Sequence, residues 1–356
     1  MTAAGGREDL RAALIGYGLA GAVFHAPLIT AVPGLELAAI VTRDERRRVQ
    51  AAQRHPQAEP LEDAEGVWKR ADQFDLAVIA APNRAHVPLA TAALETGLPV
   101  VVDKPVATRA SAARQLADTA REKGLALIPF HNRRWDGDFL TLRRLIEQGE
   151  LGEVLRFESR FERWSPQVPD AWRELPDPEE GGGVLFDLGI HLVDQSLQLF
   201  GPLAAVYAEL DSRRQGARVA DDAFVALTHS SGTRSHLWMS EFAAHTGPRF
   251  RVLGNQAAYV KWGLDVQEDA LREGRLPGES GWGSEERSRW GQIGIDEETT
   301  PVQTEPGAYQ RFYEGVVATI RDGAPPPVDP ADAITALRVL DAASVSAGEK
   351  RLVELR

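Results

Sequence analysis

The chain predicts an α/β protein in two parts: a doubly wound parallel sheet, then an α+β domain on a large, mostly antiparallel, open sheet. Two observations carry this. Between residues 11 and 128 short apolar runs alternate with helical patterns, as in a parallel sheet wound by helices. Beyond 129 extended runs follow one another with few helices between them, as antiparallel strands do. At 356 residues the chain is also too long for one ordinary core. The division is placed at 1–128 and 129–356.

In the first part the apolar runs at 12–15, 35–41, 76–80, 100–102 and 125–128 read as strands. Helical spacing covers 20–31, 44–54, 86–96 and 109–123. In the second part a helix at 139–148 precedes a long strand at 153–164, and an amphipathic helix spans 185–200. Strands are predicted at 203–210, 223–228, 233–242, 250–253 and 257–262, with His229-Ser230-Ser231-Gly232 as a hairpin turn. Residues 264–301 are polar and rich in Gly and Glu, and read as a long excursion that is functional or mobile. Helices at 309–321 and 331–347 flank Pro325-Pro326-Pro327.

Composition narrows the function. A net charge of −12 argues against nucleic-acid backbones and anionic membranes as partners. The absence of cysteine excludes disulfides and thiolate chemistry, and the eight histidines form no metal-binding cluster, so no metal is expected. Residues 1–9 lack the apolar core of a signal peptide, and no stretch has the ~20 apolar residues of a membrane span. A soluble, cytoplasmic protein is expected.

The first strand runs into Gly16-Tyr17-Gly18-Leu19-Ala20-Gly21, a G-x-G-x-x-G that opens a helix. Its glycines permit a tight turn and let a pyrophosphate approach the backbone at a helix N-terminus. The strand–turn–helix context makes this a dinucleotide-binding Rossmann signature. The second strand ends in Thr42-Arg43 where an acid for the ribose 2′-hydroxyl is usual. A hydroxyl and a guanidinium suit a 2′-phosphate, so NADP(H) is the expected cofactor, with NAD(H) left open by Asp44. Arg46, Arg47 and Arg48 read largely as surface residues. Two further strand ends supply Ala81-Pro82-Asn83-Arg84-Ala85-His86 and Asp103-Lys104-Pro105, at the edge where such sheets bind ligands.

Asp187, His191 and Asp194 recur at i, i+4 and i+7 on the 185–200 helix, along one stripe. A carboxylate one turn from an imidazole can orient the ring as a general base; a solvated ion pair is the alternative. Gly189 within that helix costs about 1 kcal/mol relative to Ala, which a ligand or backbone packed closely there would explain. At the domain junction Arg133 and Trp135 could grip a polyhydroxylated substrate. Trp172 and Arg173 read equally as substrate ligands and as loop structure.

These motifs resemble the Gfo/Idh/MocA family (glucose–fructose oxidoreductase, inositol dehydrogenase). Members share the strand-borne G-x-G-x-x-G, a Thr/Ala-Pro-Asn-x-x-His loop, a Glu-Lys-Pro loop and Asp-x-Gly-x-His-x-x-Asp. They stand here in that order at 16–21, 81–86, 103–105 and 187–194, with Asp103 in place of the usual Glu. A closer resemblance, to an NADP-dependent scyllo-inositol dehydrogenase branch, rests on Phe24-His25-Ala26-Pro27, His131-Asn132-Arg133-Arg134-Trp135-Asp136, Trp172-Arg173 and the run 267–272.

The resemblance implies hydride transfer between a nicotinamide and a secondary alcohol of a cyclitol or sugar. His191 would take the hydroxyl proton, Asp187 would orient that ring, Lys104 would steady the alkoxide, and Asp194 would bind a neighbouring hydroxyl. Whether Lys104 or His191 is the base stays open. The open sheet face implies a homodimer or homotetramer. Rival readings are an NAD-dependent glycosidase, a dihydrodiol or pyrrole-type reductase, and a non-catalytic nucleotide sensor.

Overall fold

Strands β1 (Leu10–Ile15), β2 (Leu35–Val41), β3 (Glu59–Leu61), β4 (Leu76–Ile79), β5 (Val100–Val102) and β6 (Leu127–Pro129) form one parallel sheet in the order β3-β2-β1-β4-β5-β6. The computed structural model describes residues 9–355, so the signal-peptide reading of 1–9 falls outside it except at Asp9. β4 and β5 are buried at every residue, as strands covered on both faces require. The strand order reverses between β1 and β4, which opens a crevice at their carboxyl ends. The sequence reading missed β3, a three-residue edge strand with Pro60 in its middle; proline is tolerated only at such an edge.

The 20–31 and 185–200 helices each begin with a wide π-helical turn, Ala20–His25 and Leu185–Gly189. Regular α-helix follows at Ala26–Ala31 and Ile190–Phe200. Such turns share the apolar spacing of an α-helix closely enough to be invisible in the sequence. The close neighbour at Gly189 is protein rather than ligand: a Cβ there would lie 3.2 Å from the side chains of both Leu185 and Met239.

The second sheet contains β7 (Val154–Glu162), β8 (Leu203–Asp211), β9 (Asp222–His229), β10 (Arg234–Ser240), β11 (Phe250–Gly254), β12 (Ala258–Lys261), β13 (Gly291–Ile295), β14 (Glu298–Val302) and β15 (Val353–Glu354). Its order is β14-β13-β12-β11-β7-β10-β9-β8-β15, antiparallel except for the β7–β10 pair. The predicted hairpin joins β9 to β10, with Arg234 opposite Thr228. The 264–301 excursion holds the short helix Gln267–Arg272 and the β13–β14 hairpin that extends the sheet edge. Polar, exposed edge strands such as β14 lack the alternation that betrays a half-buried strand.

One face of this sheet buries Phe157, Val225 and Leu237, and the helices Ile190–Phe200 and Pro330–Glu349 join the same core. The Pro330–Glu349 helix also packs on the first domain through the Ala110–Lys123 helix and β6, so it ties the two sheets together. The other face carries half-buried Phe224, His236 and Trp238 in one ring cluster, with Arg160 over the Trp238 ring at 4.0 Å. Beside it Trp164, 53% exposed, stacks on Phe242. No helix among the described residues is long and apolar enough to cross a membrane.

Candidate active site

A crevice of about 1000 Å³ lies at the switch point of the first sheet. Gly16 turns the chain there at φ +106°, and a Cβ on it would run into the carbonyl of Ala80. A Cβ on Gly21 would strike the Gly16 carbonyl, so Gly21 serves close packing while Tyr17, Gly18, Leu19 and Ala20 line the crevice. Ala81, Pro82 and Asn83 line it from β4. Buried Thr42 and exposed Arg43 stand at the end of β2, joined by Arg47, which the sequence reading left on the surface. Asp44 caps the following helix, accepting the Arg47 backbone N–H at 3.0 Å, and that bond lowers its pKa. The N-cap spacing could have revealed Arg47, since it places residue 47 in the first helical turn above the glycine turn. The crevice fits a dinucleotide: it gives close access to bare backbone at one end and two guanidinium groups at the other.

His86 does not face the crevice. Its ring is buried with the carbonyls of Pro105 and Ala81 each 2.8 Å from a ring nitrogen, so it braces the two loops against each other. Asn83 reaches into the second domain instead, donating to the Glu180 carbonyl at 2.9 Å, while Arg84 pairs with the Glu180 carboxylate at 2.9 Å. Trp172 and Arg173, on the loop that ends at this clasp, close the crevice from the second domain, with the guanidinium 4.3 Å over the indole. Trp172 therefore faces the nucleotide crevice and not the substrate side.

A second cavity, of about 310 Å³, adjoins the crevice; the two share Leu19, Ala20, Asp103 and Arg173. Lys104, Asp187 and His191 all line it. Asp103 accepts the Lys104 backbone N–H at 2.8 Å and so fixes the start of that loop. Lys104 Nζ donates to the Asp187 carboxylate at 2.9 Å and to its backbone carbonyl at 2.7 Å. Arg173 Nε donates to the same carboxylate at 3.3 Å. Burial pushes the Asp187 pKa up, but Lys104, Arg173 and Arg163 outweigh it and hold it well below the ordinary carboxylate value.

The expected Asp187–His191 pair is not formed. Among the described residues no hydrogen bond joins the two, and His191 Nδ1 is buried without a partner. The carboxylate turns across the domain junction to a full positive charge, a stronger partner than a neutral ring. Burial and the cations of Lys104 and Arg133 push the His191 pKa well below 6.5, so the imidazole is neutral at neutral pH.

Asp194 and Trp135 are also corrected. Asp194 is 2% exposed and takes both Arg134 bonds, at 2.9 and 2.6 Å, with His131 3.7 Å away. It closes a buried ion pair instead of meeting a ligand, because residue 194 lies a turn deeper than the cavity floor. Trp135, half-buried, packs edge-on against Phe312 at the border of the core. Arg133 does line the cavity, over the Phe161 ring at 4.7 Å and paired with Glu268 at 2.8 Å. Glu268, Asp269 and Arg272, from the short helix of the 264–301 excursion, form the opposite wall. Sequence reasoning assigned them no role, although the i, i+4 spacing of Glu268 and Arg272 marks a paired helix face.

Residues 10–131 match the family described as "Oxidoreductase family, NAD-binding Rossmann fold", and residues 143–355 match "Oxidoreductase family, C-terminal alpha/beta domain", both of the Gfo/Idh/MocA group. The chain belongs to the Gfo/Idh/MocA oxidoreductase family, as an NAD(P)-dependent dehydrogenase. It is 32% identical to scyllo-inositol 2-dehydrogenase (NADP(+)) IolW of Bacillus subtilis, over 98% of this chain and 96% of that protein. It is 40% identical to the uncharacterized oxidoreductase YdgJ of Escherichia coli, over 94% of this chain and 95% of the relative. The solved structure of yvaA from Bacillus subtilis superposes with a TM-score of 0.91 at 32% identity, covering 98% of this chain and 99% of that one.

Proposed function

We propose that this dehydrogenase uses NADP(H) and acts on a secondary alcohol of a cyclitol or sugar. The observation that carries the reading is the Lys104–Asp187 bond in the cavity that adjoins the nucleotide crevice, with neutral His191 lining the same cavity. Bound nucleotide supplies the hydride acceptor or donor. Asp187 positions Lys104, and the ammonium donates to the hydroxyl oxygen of the carbon that is oxidised, stabilising the negative charge that develops there. His191, neutral and with an unpartnered ring nitrogen, accepts the hydroxyl proton. Arg133 and Glu268 are already paired with each other, so the cavity offers donors and acceptors to further hydroxyls without an uncompensated charge. That balance favours a neutral polyol over a carboxylated or phosphorylated one.

Thr42, Arg43 and Arg47 support the choice of the phosphorylated nucleotide, as does the NADP(+) in the name of the Bacillus relative. The uncovered aromatic face of the second sheet supports a dimer or tetramer built through it. A panel of inositols and aldoses, each with NADP⁺ and NAD⁺ and followed at the reduced-nucleotide absorbance, tests the reading. Oxidation of at least one cyclitol or sugar, faster with NADP⁺ than with NAD⁺ at limiting nucleotide, is expected. Glycoside hydrolysis without net nucleotide turnover would overturn it.

A further inference from the structure

Behind Asp187 lies another cavity, of about 400 Å³, which the single-ring reaction leaves unused. It shares Arg163, Arg173 and Asp187 with the reaction cavity but only Ala171 and Arg173 with the nucleotide crevice. We propose that it is a subsite for a second sugar ring, so that the preferred substrate is a glycoside whose oxidised ring occupies the first cavity. This rests on the polyol reading above and extends it.

Size and chemistry both point this way. The reaction cavity, at about 310 Å³, sits at the small end of ligand sites and suits one six-membered ring beside the nicotinamide. The adjoining space roughly doubles it. Where the two meet, Arg163 and Arg173 flank Asp187, with nitrogens 3.9 and 3.3 Å from its carboxylate. A guanidinium only donates hydrogen bonds, and a glycosidic oxygen only accepts them. Two half-exposed arginines at the seam are what an ether bridge between two rings would meet.

The far cavity sets charged side chains held in place among small apolar residues, Ala171, Val184 and Ala220. Arg214, 2% exposed, is fixed by Asp221 at 2.9 Å and by both Glu174 oxygens at 3.0 and 3.1 Å. Glu241 is held by Arg163. Each carboxylate keeps lone pairs for hydroxyl donors after these bonds. Ordering these side chains before ligand arrives lowers the entropic cost of binding.

The test compares myo-inositol with O-galactosyl-myo-inositol, and glucose with cellobiose, by kcat/KM at saturating NADP⁺. Ala220 lines only the far cavity, so Ala220→Phe fills it without entering the reaction cavity. Ser165→Phe, at the half-buried rim, is a second filling should the first variant fail to fold. In the unmodified protein one glycoside should exceed its single-ring partner at least tenfold. Either filling should remove that advantage and leave the single-ring value within twofold. Single rings oxidised with no glycoside advantage would overturn the subsite while the dehydrogenase reading stands. An advantage that survives filling would also overturn it. Failure to oxidise any of the four compounds, or any other polyol, would remove the reading beneath it.

Discussion

Arg43 and Arg47 should make this protein prefer NADPH to NADH. Both line the crevice at the end of β2, where Asp44 is committed to the Arg47 amide and Glu62 and Asp63 also stand. A charge-assisted hydrogen bond contributes roughly 1.5–3 kcal/mol when sheltered. Both guanidinium groups are exposed, so about 1 kcal/mol each is the appropriate figure. Together they give about 2 kcal/mol, or roughly 30-fold in Kd at about 1.4 kcal/mol per tenfold. Arg47→Ala should weaken NADPH about fivefold and leave NADH within twofold. Arg43→Asp combined with Arg47→Ala should reverse the preference. Because the contacts are exposed, raising ionic strength should erode the ratio for NADPH while barely moving NADH. Titration of nucleotide fluorescence at fixed salt reads all of this directly. Equal Kd values in the unmodified protein, or a ratio untouched by the double variant, would refute the assignment.

His191→Ala and Lys104→Met should each lose roughly 10²–10⁴-fold in turnover while binding nucleotide within a few-fold, and near-normal turnover would remove the residue from the chemistry. Since the active form of His191 is the neutral ring and its pKa is pushed down, the acidic limb of kcat/KM for oxidation should fall below pH 6.5; a His-dependent limb above that value contradicts the assignment. Asp194→Ala should destabilise the fold by about 3 kcal/mol in urea, since it strands buried Arg134 with only Asp332 at 3.0 Å. The folded-state pKa of Asp194 is lowered, so its contribution is fully present above the unfolded value near ~4 and is lost as pH falls through the folded value; a change in KM without loss of stability would return it to the substrate. Light scattering should give at least two chains per particle, and Trp238→Glu on the open face should dissociate them; a single-chain mass at micromolar concentration would exclude that interface.

What the sequence disclosed follows from what periodicity measures. β4 and β5 are unbroken apolar runs because helices cover both faces, and β2 is interrupted only by Glu36, so their limits were legible almost to the residue. The glycine turn was legible because Gly16 needs a backbone conformation that other residues resist. Periodicity also placed Asp187, His191 and Asp194 on one stripe, but it says nothing of what crosses from another element to meet them. Lys104 arrives from the first domain and takes Asp187; Arg134 arrives from the junction and takes Asp194. Trp135 was misjudged for the same reason, since Phe312, 177 positions away, holds it half-buried against the core. The far wall of the reaction cavity was overlooked because the i, i+4 pair of Glu268 and Arg272 sits in a segment whose overall polarity reads as loop.

The clasp between Asn83, Arg84 and Glu180 bears on how such enzymes can be recombined. A chimera that takes its nucleotide-binding half from one relative and its catalytic half from another inherits two ends of one clasp from different ancestors. The Glu180 carboxylate would then be buried without its Arg84 partner, and the loop bearing Trp172 and Arg173 would lose its anchor beside the crevice. Exchanging residues 165–183 along with the first half keeps the pair matched. The closed wall of the nucleotide crevice is thus portable only as a unit that spans both halves of the chain, whereas the residues at the end of β2 travel with the first half alone.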